Sequence, residues 1–311
     1  VPLDYGPMWI WEDHTHIEKL LRELRVSRFP QFTKGFGLYD NGSGTTPQQF
    51  SAPQQPPAYR VKGGMRALID KLFKHLPEDS VHLDTVVNKI SADEEGIIVE
   101  ARYDHKTVFY DAEYVVVTLP PALASTAISY HPRLPEDVFL ALRNTHTWMG
   151  QAMKVFLIYD SPFWRKMGLS GHSISHHGIV GELHDASPEG QNFGVLFGFL
   201  GNNSSGRNMS ASERKQAVLG QIKRTFGWQA NEWKVYSEYD WTYENFTSDS
   251  GSARGDLLSH PQYGEPLLQP PVMNGRLFWA ASEVSMVSGG YIDGAVYRAN
   301  ELASTLVELT K

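Results

Sequence analysis

The chain has 311 residues, of which 41% are hydrophobic, and a formal net charge of −7. The acidic balance argues against non-specific binding to nucleic acid, and no apolar run approaches the ~18–20 residues that cross a bilayer. Cysteine is absent, which excludes disulfides, thiol catalysis, cysteine-ligated metals and a thioether-linked cofactor. We therefore expect a cytoplasmic globular protein with neither a nucleic-acid nor a membrane partner.

The first part of the chain is predicted to contain two helices separated by a loop. Thr15 to Glu18 fits a capping box and begins a helix with apolar residues at helical spacing. Residues 40–58 are rich in Gly, Ser, Thr, Pro and Gln, which indicates a loop. The pair Gly63-Gly64 then opens a second amphipathic helix.

The middle of the chain predicts mainly strands. They are expected at 81–90, 96–103, 107–118, 151–159, 178–184, 193–200 and 234–241. Ser210 to Phe226 predicts a helix between the last two. Because the elements do not follow the regular βαβ alternation of one doubly wound sheet, we predict an α/β fold of mixed α+β type.

The end of the chain carries the clearest local pattern. A short apolar strand at 275–283 leads to Gly289-Gly290, and a long helix with one apolar stripe follows from Ile292. A helix N-terminus presents free N–H donors and the positive end of the helix dipole. This turn therefore predicts a site for an anionic or electron-rich group.

Several segments, in the same order, resemble the flavin-dependent amine oxidases of the monoamine oxidase type. They are Leu3-Asp4-Tyr5-Gly6, Gly63-Gly64, Val81 to Ile90, Tyr114 to Pro121, Gly150 to Lys154 with Ser161 to Arg165, Pro188-Glu189-Gly190, Trp241, and Gly289 to Ala295. The resemblance covers nearly the whole chain. It implies FAD-dependent oxidation of a small-molecule amine to an imine, with the flavin reoxidised by oxygen.

The resemblance also implies roles for individual residues. Lys154 would lie beside the flavin and hold a water near its reactive nitrogen, while Tyr291 and Trp241 would shape an aromatic slot; these three are the catalytic candidates. The residues expected to bind the cofactor are Gly6, Trp9, Val87, Glu283, Gly290, Tyr291 and Ile292.

Taken without the resemblance, the same residues have simpler interpretations. Lys154 would be an edge-strand lysine that reaches solvent, Glu283 a solvated turn residue, and Tyr291 a core tyrosine. Strand alternation places Lys154 on one face with Phe156 and Ile158, where a lysine needs water or a partner.

A histidine-rich stretch contains His172, His176, His177 and His184. Metal sites need convergent ligands with supporting carboxylates. We find no such pattern in the sequence, so we interpret the stretch as a polar loop and predict no metal site.

The chain departs from the family in four respects. The second aromatic wall would fall in Ser248 to Ser252, which holds no aromatic residue. Ser250 or a neighbour stands where some members carry a flavin-linking cysteine, so FAD would be non-covalent. Residues 31–59 replace a long helical block of the substrate domain. The strand, G-x-G-x-x-G turn and helix that hold the FAD diphosphate are not found.

Two interleaved domains are expected from the resemblance. Residues 1–30, 60–130 and 245–311 would form an incomplete Rossmann-like FAD-binding domain. Residues 31–59 and 131–244 would form a substrate domain around a mixed sheet.

The missing diphosphate turn leaves two hypotheses. The first is an FAD-dependent amine oxidase. The alternative is a truncated, catalytically silent chain that binds no flavin. For the chain as given we expect FAD to bind poorly or not at all, and we expect self-association through apolar surface near Val86–Ile90 and Leu277–Ala280.

Overall fold

The computed structural model describes residues 2–42, 46–51, 57–201, 205–247 and 260–311. The strands are β1 (Ile10–Trp11), β2 (Arg28–Pro30), β3 (Phe36–Asp40), β4 (Gln48–Ser51), β5 (Ala58–Val61), β6 (Val86–Ala92), β7 (Ile97–Tyr103), β8 (Lys106–Ala112), β9 (Val115–Val117), β10 (Ser129–His131), β11 (Met153–Tyr159), β12 (Leu169–Ser175), β13 (Val180–Asp185), β14 (Gly194–Leu200), β15 (Trp233–Asp240) and β16 (Leu277–Trp279). The α-helices are α1 (Thr15–Glu23), α2 (Met65–Phe73), α3 (Pro121–Ala127), α4 (Glu136–Asn144), α5 (Phe163–Lys166), α6 (Ala211–Phe226) and α7 (Ile292–Leu309).

Contacts divide the described residues into two compact units that interleave along the chain. Unit 1 draws on 1–13, 25–69 and 152–240, and unit 2 on 14–24, 70–151 and 241–311. The predicted mixed α/β class is confirmed. The predicted domain bounds and their assignment to flavin and substrate stay predictions, because compactness does not say what a unit binds.

Unit 1 is built on a seven-stranded sheet in the order β15-β11-β14-β13-β12-β3-β4. Its pairs are antiparallel except β12 with β3, which is parallel. One face packs Val155 and Leu157 of β11 against Ile222 of α6. The alternate residues, including Phe156, face the other way and pack with Met8. A smaller sheet, β1-β5-β2, completes the unit.

Unit 2 contains a four-stranded sheet, β10-β6-β7-β8, and a parallel pair, β16 with β9. Residues of α3, α4, β6 and β16 share one apolar core, and Phe278 and Ala280 pack separately against Leu302 of α7. Leu277 to Ala280 are all at most 8% exposed. The predicted uncovered apolar patch at Leu277–Ala280 is therefore wrong, because α7 and the core cover it.

The predicted capping box at Thr15 to Glu18 is also wrong. His14 is the N-cap residue of α1, and Thr15 is already inside the helix. The backbone N–H groups of His16 and Ile17 instead donate to Oδ1 of Asp293, each at 2.8 Å. The first turn of α1 is thus held by a residue at the start of α7.

Two predicted segments differ from the observed strands. The predicted loop at 40–58 contains β4, which pairs with β3; residues 43–45 and 52–56 lie outside the described residues. The predicted strand 107–118 is divided between β8 and β9, which belong to different sheets.

Within the described ranges, every helix is too short or too polar to span a bilayer.

Candidate active site

Lys154 lies in the interior of the large sheet of unit 1. Its strand, β11, is flanked by β15 and β14, and its side chain is only 4% exposed. The interpretation of Lys154 as an edge-strand lysine that reaches solvent is therefore wrong. Since a buried charge needs partners, its surroundings decide what it does.

The Lys154 ammonium is held by the turn near the start of unit 1. Its Nζ donates hydrogen bonds to the carbonyl oxygens of Asp4 at 3.2 Å and Gly6 at 2.6 Å. It also lies 5.3 Å from the ring centroid of Phe197 and 5.1 Å from that of Phe199. An ammonium has three N–H donors, and two of them are used by the two carbonyls. One donor therefore remains for a water or a ligand.

Burial sets the charge balance around this turn. It lowers the pKa of Lys154 to about 8, an effect that the Asp4 carboxylate opposes and Arg60 reinforces. Burial raises the pKa of Asp4, against the hydrogen bond from the Met65 N–H and the charges of Arg60 and Lys154. Asp4 Oδ1 accepts that Met65 N–H at 2.8 Å, so the turn also holds the start of α2.

Trp9 lies on the same face of the sheet as Lys154. Its ring centroid is 5.4 Å from that of Phe197 and 4.9 Å from that of His184. Its indole N–H donates to Oε1 of Gln31 at 2.9 Å, which fixes the ring. Three candidates of unit 1, Gly6, Trp9 and Lys154, are therefore brought together in one neighbourhood.

In unit 2 the glycine turn leads directly into α7. Gly290 has φ +77°, and its N–H donates to the Ser282 carbonyl at 3.1 Å. A Cβ at Gly290 would lie 2.6 Å from Cε2 of Tyr263, so both conformation and space require glycine. Tyr291 follows as the N-cap residue and Ile292 as the first helical residue.

The Tyr291 ring is enclosed by aromatic neighbours. It stacks on His260 at 5.1 Å with 10° between the planes, and meets Trp148 edge-on at 5.3 Å and His14 at 5.0 Å. The sequence-based alternative of a packed tyrosine thus describes its surroundings, and a role beside a cofactor stays a prediction.

Glu283 is buried, with 4% of its surface exposed, so the interpretation as a solvated turn residue is wrong. Its Oε1 accepts from Thr147 Oγ1 at 2.7 Å and its Oε2 from Ser282 Oγ at 2.8 Å. The carboxylate is therefore already an acceptor for hydroxyl groups, the chemistry expected of a residue that meets a sugar or ribityl chain.

The remaining candidates of unit 2 are less closely grouped. Val87 is half-buried in β6 and packs against the core that contains Val284. Trp241 is half-buried in a short 3₁₀ turn, Trp241–Tyr243, after β15. The predicted second wall at Ser248 to Ser252, including Ser250, lies outside the described residues.

The sequence profile of the family described as "Flavin containing amine oxidoreductase" matches residues 48–306. The chain belongs to this family. The predicted resemblance is confirmed, and FAD is the cofactor that the family carries.

Individual relatives agree with the family. The putrescine oxidase of Kocuria rosea is 32% identical over 257 residues, which cover 80% of this chain and 52% of the relative. An L-amino acid dehydrogenase of Synechocystis is 28% identical over 83% of this chain and 53% of its own length. The chain spans about half the length of the curated relatives it matches.

Solved structures show the same fold. A putrescine oxidase bound to putrescine superposes with a TM-score of 0.81 at 22% identity, covering 98% of this chain and 88% of that one. The cyclohexylamine oxidase of Brevibacterium oxydans also gives 0.81, at 20% identity, covering 100% and 89%. The amine oxidase fold is therefore present across this chain.

The start of α7 fits the flavin portion of FAD. In the described part of the chain, the Tyr291 side chain makes no capping hydrogen bond to this 18-residue helix, so its first N–H groups are donors for an electron-rich group. Oδ2 of Asp293 is buried and has no hydrogen-bond partner among the described residues. It is an acceptor suited to a ligand hydroxyl or ring N–H. Gly290, Tyr291 and Glu283 are the further residues that would hold the group.

Sequence reasoning missed two features of the structure. Asp293 was not singled out, although an acid in the first turn of a helix after a glycine pair is a signal for it. The interpretation of His172 and His184 as loop residues is wrong. They lie in β12 and β13, 12% exposed in each side chain, beside Glu182. The E-x-H spacing of Glu182 and His184, which puts both on one strand face, was the available signal.

Proposed function

We propose that this chain carries out the FAD-dependent oxidation of a small amine to an imine, with oxygen as the final acceptor. The observation that carries the proposal is the family match over residues 48–306, which includes both Lys154 and the Gly289–Ala295 turn. The names of the relatives, putrescine oxidase and monoamine oxidase, support an amine as the substrate.

A bound FAD would supply the two-electron redox chemistry of amine oxidation. The residues of this chain supply position and charge. Lys154, fixed by two carbonyls, would offer its third N–H to a water. The rings of Trp9, Phe197 and Phe199 would line this neighbourhood with aromatic surface.

Gly6 and Trp9 keep the cofactor-binding roles that the resemblance implies, and residues around the start of α7 would make further cofactor contacts. The N-terminus of α7, Glu283 and Asp293 would meet the flavin portion through N–H donors and carboxylate acceptors. Tyr291 would present an aromatic wall, and Trp241 and Val87 keep the roles that the resemblance implies. A non-covalent cofactor is proposed because the chain has no cysteine.

The test is anaerobic reduction of bound flavin. Purified chain is mixed with enough FAD to saturate it, and putrescine, cyclohexylamine and a monoamine are added in turn. We expect at least one amine to bleach the visible flavin absorbance and readmitted oxygen to restore it with release of hydrogen peroxide. The Lys154→Met protein, measured in parallel, should bind flavin but cycle more slowly.

Two outcomes would decide against this function. If flavin binds and no amine reduces it, the substrate class is wrong. If no flavin binds at any concentration, the alternative of a catalytically silent chain is correct.

A cytoplasmic location and self-association stay predictions. Of the apolar surface proposed for self-association, Val86 remains 39% exposed, whereas Ile90 is buried. Any such contact would therefore centre on Val86 and not on β16.

A further inference from the structure

A cluster of two histidines and one carboxylate lies on the large sheet of unit 1. The register of β12 with β13 pairs Ser173 with Leu183 and Ile174 with Glu182, which places His172 opposite His184. Because residues two apart on a strand share a face, Glu182 and His184 project to the same side. The family match and the oxidase chemistry leave this cluster without a role.

The ligand atoms of the cluster converge. Nε2 of His172 lies 3.3 Å and Nε2 of His184 lies 3.0 Å from Oε1 of Glu182. The potential ligand atoms all lie within 4.8 Å of one another. A cation about 2.1 Å from each ligand atom requires the ligand atoms to lie no more than about 4.2 Å from one another. The three ligand atoms would therefore have to move together by less than about 1 Å to bind it.

The Nε2 atoms of His172 and His184 have no other hydrogen-bond partner among the described residues. Both Nε2 atoms are buried, and neither has a hydrogen bond of acceptable geometry with any described residue, although Oε1 of Glu182 is close. The rings stack on each other at 4.9 Å with 10° between their planes, and both Nε2 atoms lie near the same oxygen, Oε1 of Glu182. Buried polar atoms without partners need an explanation, and a shared cation provides one.

We propose that His172, Glu182 and His184 bind one divalent transition-metal ion of the Zn²⁺ class. Two imidazoles and a carboxylate form a known three-ligand set for such ions, with further positions open to water. Imidazole ligands disfavour Ca²⁺ and Mg²⁺, which require oxygen ligands. The proposal is independent of the oxidase function.

Packing fixes the two rings from outside the cluster. Trp9 meets the His184 ring at 4.9 Å, and Phe197 stacks on it at 5.3 Å. Phe50 meets His172 edge-on at 5.6 Å. Ligands held by packing lose little freedom when a metal binds, so the site is largely preorganised.

The test uses the untagged full chain, stripped with chelator and titrated with Zn²⁺ and Co²⁺ by calorimetry. We expect saturable binding of one ion per chain, a visible Co²⁺ spectrum from nitrogen and oxygen ligands, and no response to Mg²⁺. His172→Gln, Glu182→Gln and His184→Gln should each weaken Zn²⁺ binding by at least about tenfold. His75→Gln, at an exposed position, is the matched control and should change nothing.

Folding of each variant is checked by circular dichroism before titration. If a variant fails to fold, a rise in the melting temperature of the unmodified chain with Zn²⁺ still supports the site, provided that His75→Gln gives the same rise. Absence of one-to-one binding to the unmodified chain would overturn the proposal, and so would equal affinity in folded His184→Gln.

Discussion

At the scale of single residues, the buried ammonium of Lys154 dominates unit 1. A lysine in the interior of a sheet loses its hydration, and two carbonyl hydrogen bonds with two aromatic faces replace only part of it. This is why burial brings its pKa down to about 8. Such a group is charged at pH 7 but close to neutrality, the state expected of a lysine that can also move a proton.

The pKa of Lys154 can be measured directly. With ¹³Cε/¹⁵N-labelled lysine, one NMR signal should titrate near 8, well below the ordinary value of about 10.4. That signal should be missing from Lys154→Met and present in Lys166→Met, a control at an exposed lysine. A full set of lysine signals titrating above 10 would show that the ammonium is better solvated than its burial implies.

Stability should follow the same titration. The folded pKa is depressed below the unfolded one, so the penalty for the buried charge is fully present below pH 8 and is relieved as the pH rises from 8 to about 10.4. The free energy of unfolding of the unmodified chain should therefore rise relative to that of Lys154→Met as the pH increases across this window. A constant difference between the two proteins from pH 7 to 10.5 would contradict the assignment.

At the scale of elements, the start of α7 organises much of unit 2. Asp293 accepts two N–H groups from the first turn of α1, although 277 residues separate it from His16. The glycine turn before it lies against the Tyr263 ring, whose hydroxyl donates to the His146 carbonyl and accepts the Trp148 N–H. One helix end thereby fixes two distant parts of the chain.

Removing Asp293 should detach the first turn of α1. Asp293→Ala is expected to lower the free energy of unfolding by about 2–3 kcal/mol, because a buried charged acceptor is lost and two N–H groups are left without it. Amide exchange at His16 and Ile17 should accelerate. Asp93→Ala is the control, since Asp93 also accepts two N–H groups but is exposed, and its loss should be smaller. Equal losses would mean that burial at Asp293 adds nothing.

The glycine turn allows a test with a matched pair. Gly290→Ala meets both a positive φ and the Tyr263 ring, whereas Gly275→Ala meets a positive φ of +80° with no atom within 4 Å. The Gly275 variant should lose about 1 kcal/mol and the Gly290 variant clearly more in urea unfolding. Similar losses would show that the Tyr263 ring moves away freely and does not hold the turn.

Sequence patterns predicted elements well where the decisive interactions are local. The helix from Ser210 to Phe226 has its complete capping box between Ser210 and Glu213, and the faces of β11 follow from strand alternation. They failed where distant partners decide. The first turn of α1 is held by hydrogen bonds to Asp293 and not by a capping box at Thr15. The convergence of His172 with Glu182 depends on the register of two strands, which the sequence does not specify.

At the scale of the whole molecule, the sequence of 311 residues holds no G-x-G-x-x-G turn of the kind that binds a diphosphate. A diphosphate needs several preorganised N–H donors because it is the most highly charged part of FAD. A net charge of −7 opposes it further. Affinity of this chain for FAD should therefore come from the ring and not from the phosphates.

Comparing flavins separates these contributions. The chain is titrated with riboflavin and with FAD, and binding is measured from the quenching of flavin fluorescence. The two dissociation constants should lie within roughly tenfold of each other, a ratio that corresponds to about 1.4 kcal/mol. ADP should fail to compete with either. An FAD affinity more than about 100-fold above that of riboflavin would mean that other residues of the chain clamp the diphosphate, because only specific N–H donors provide so large an increment.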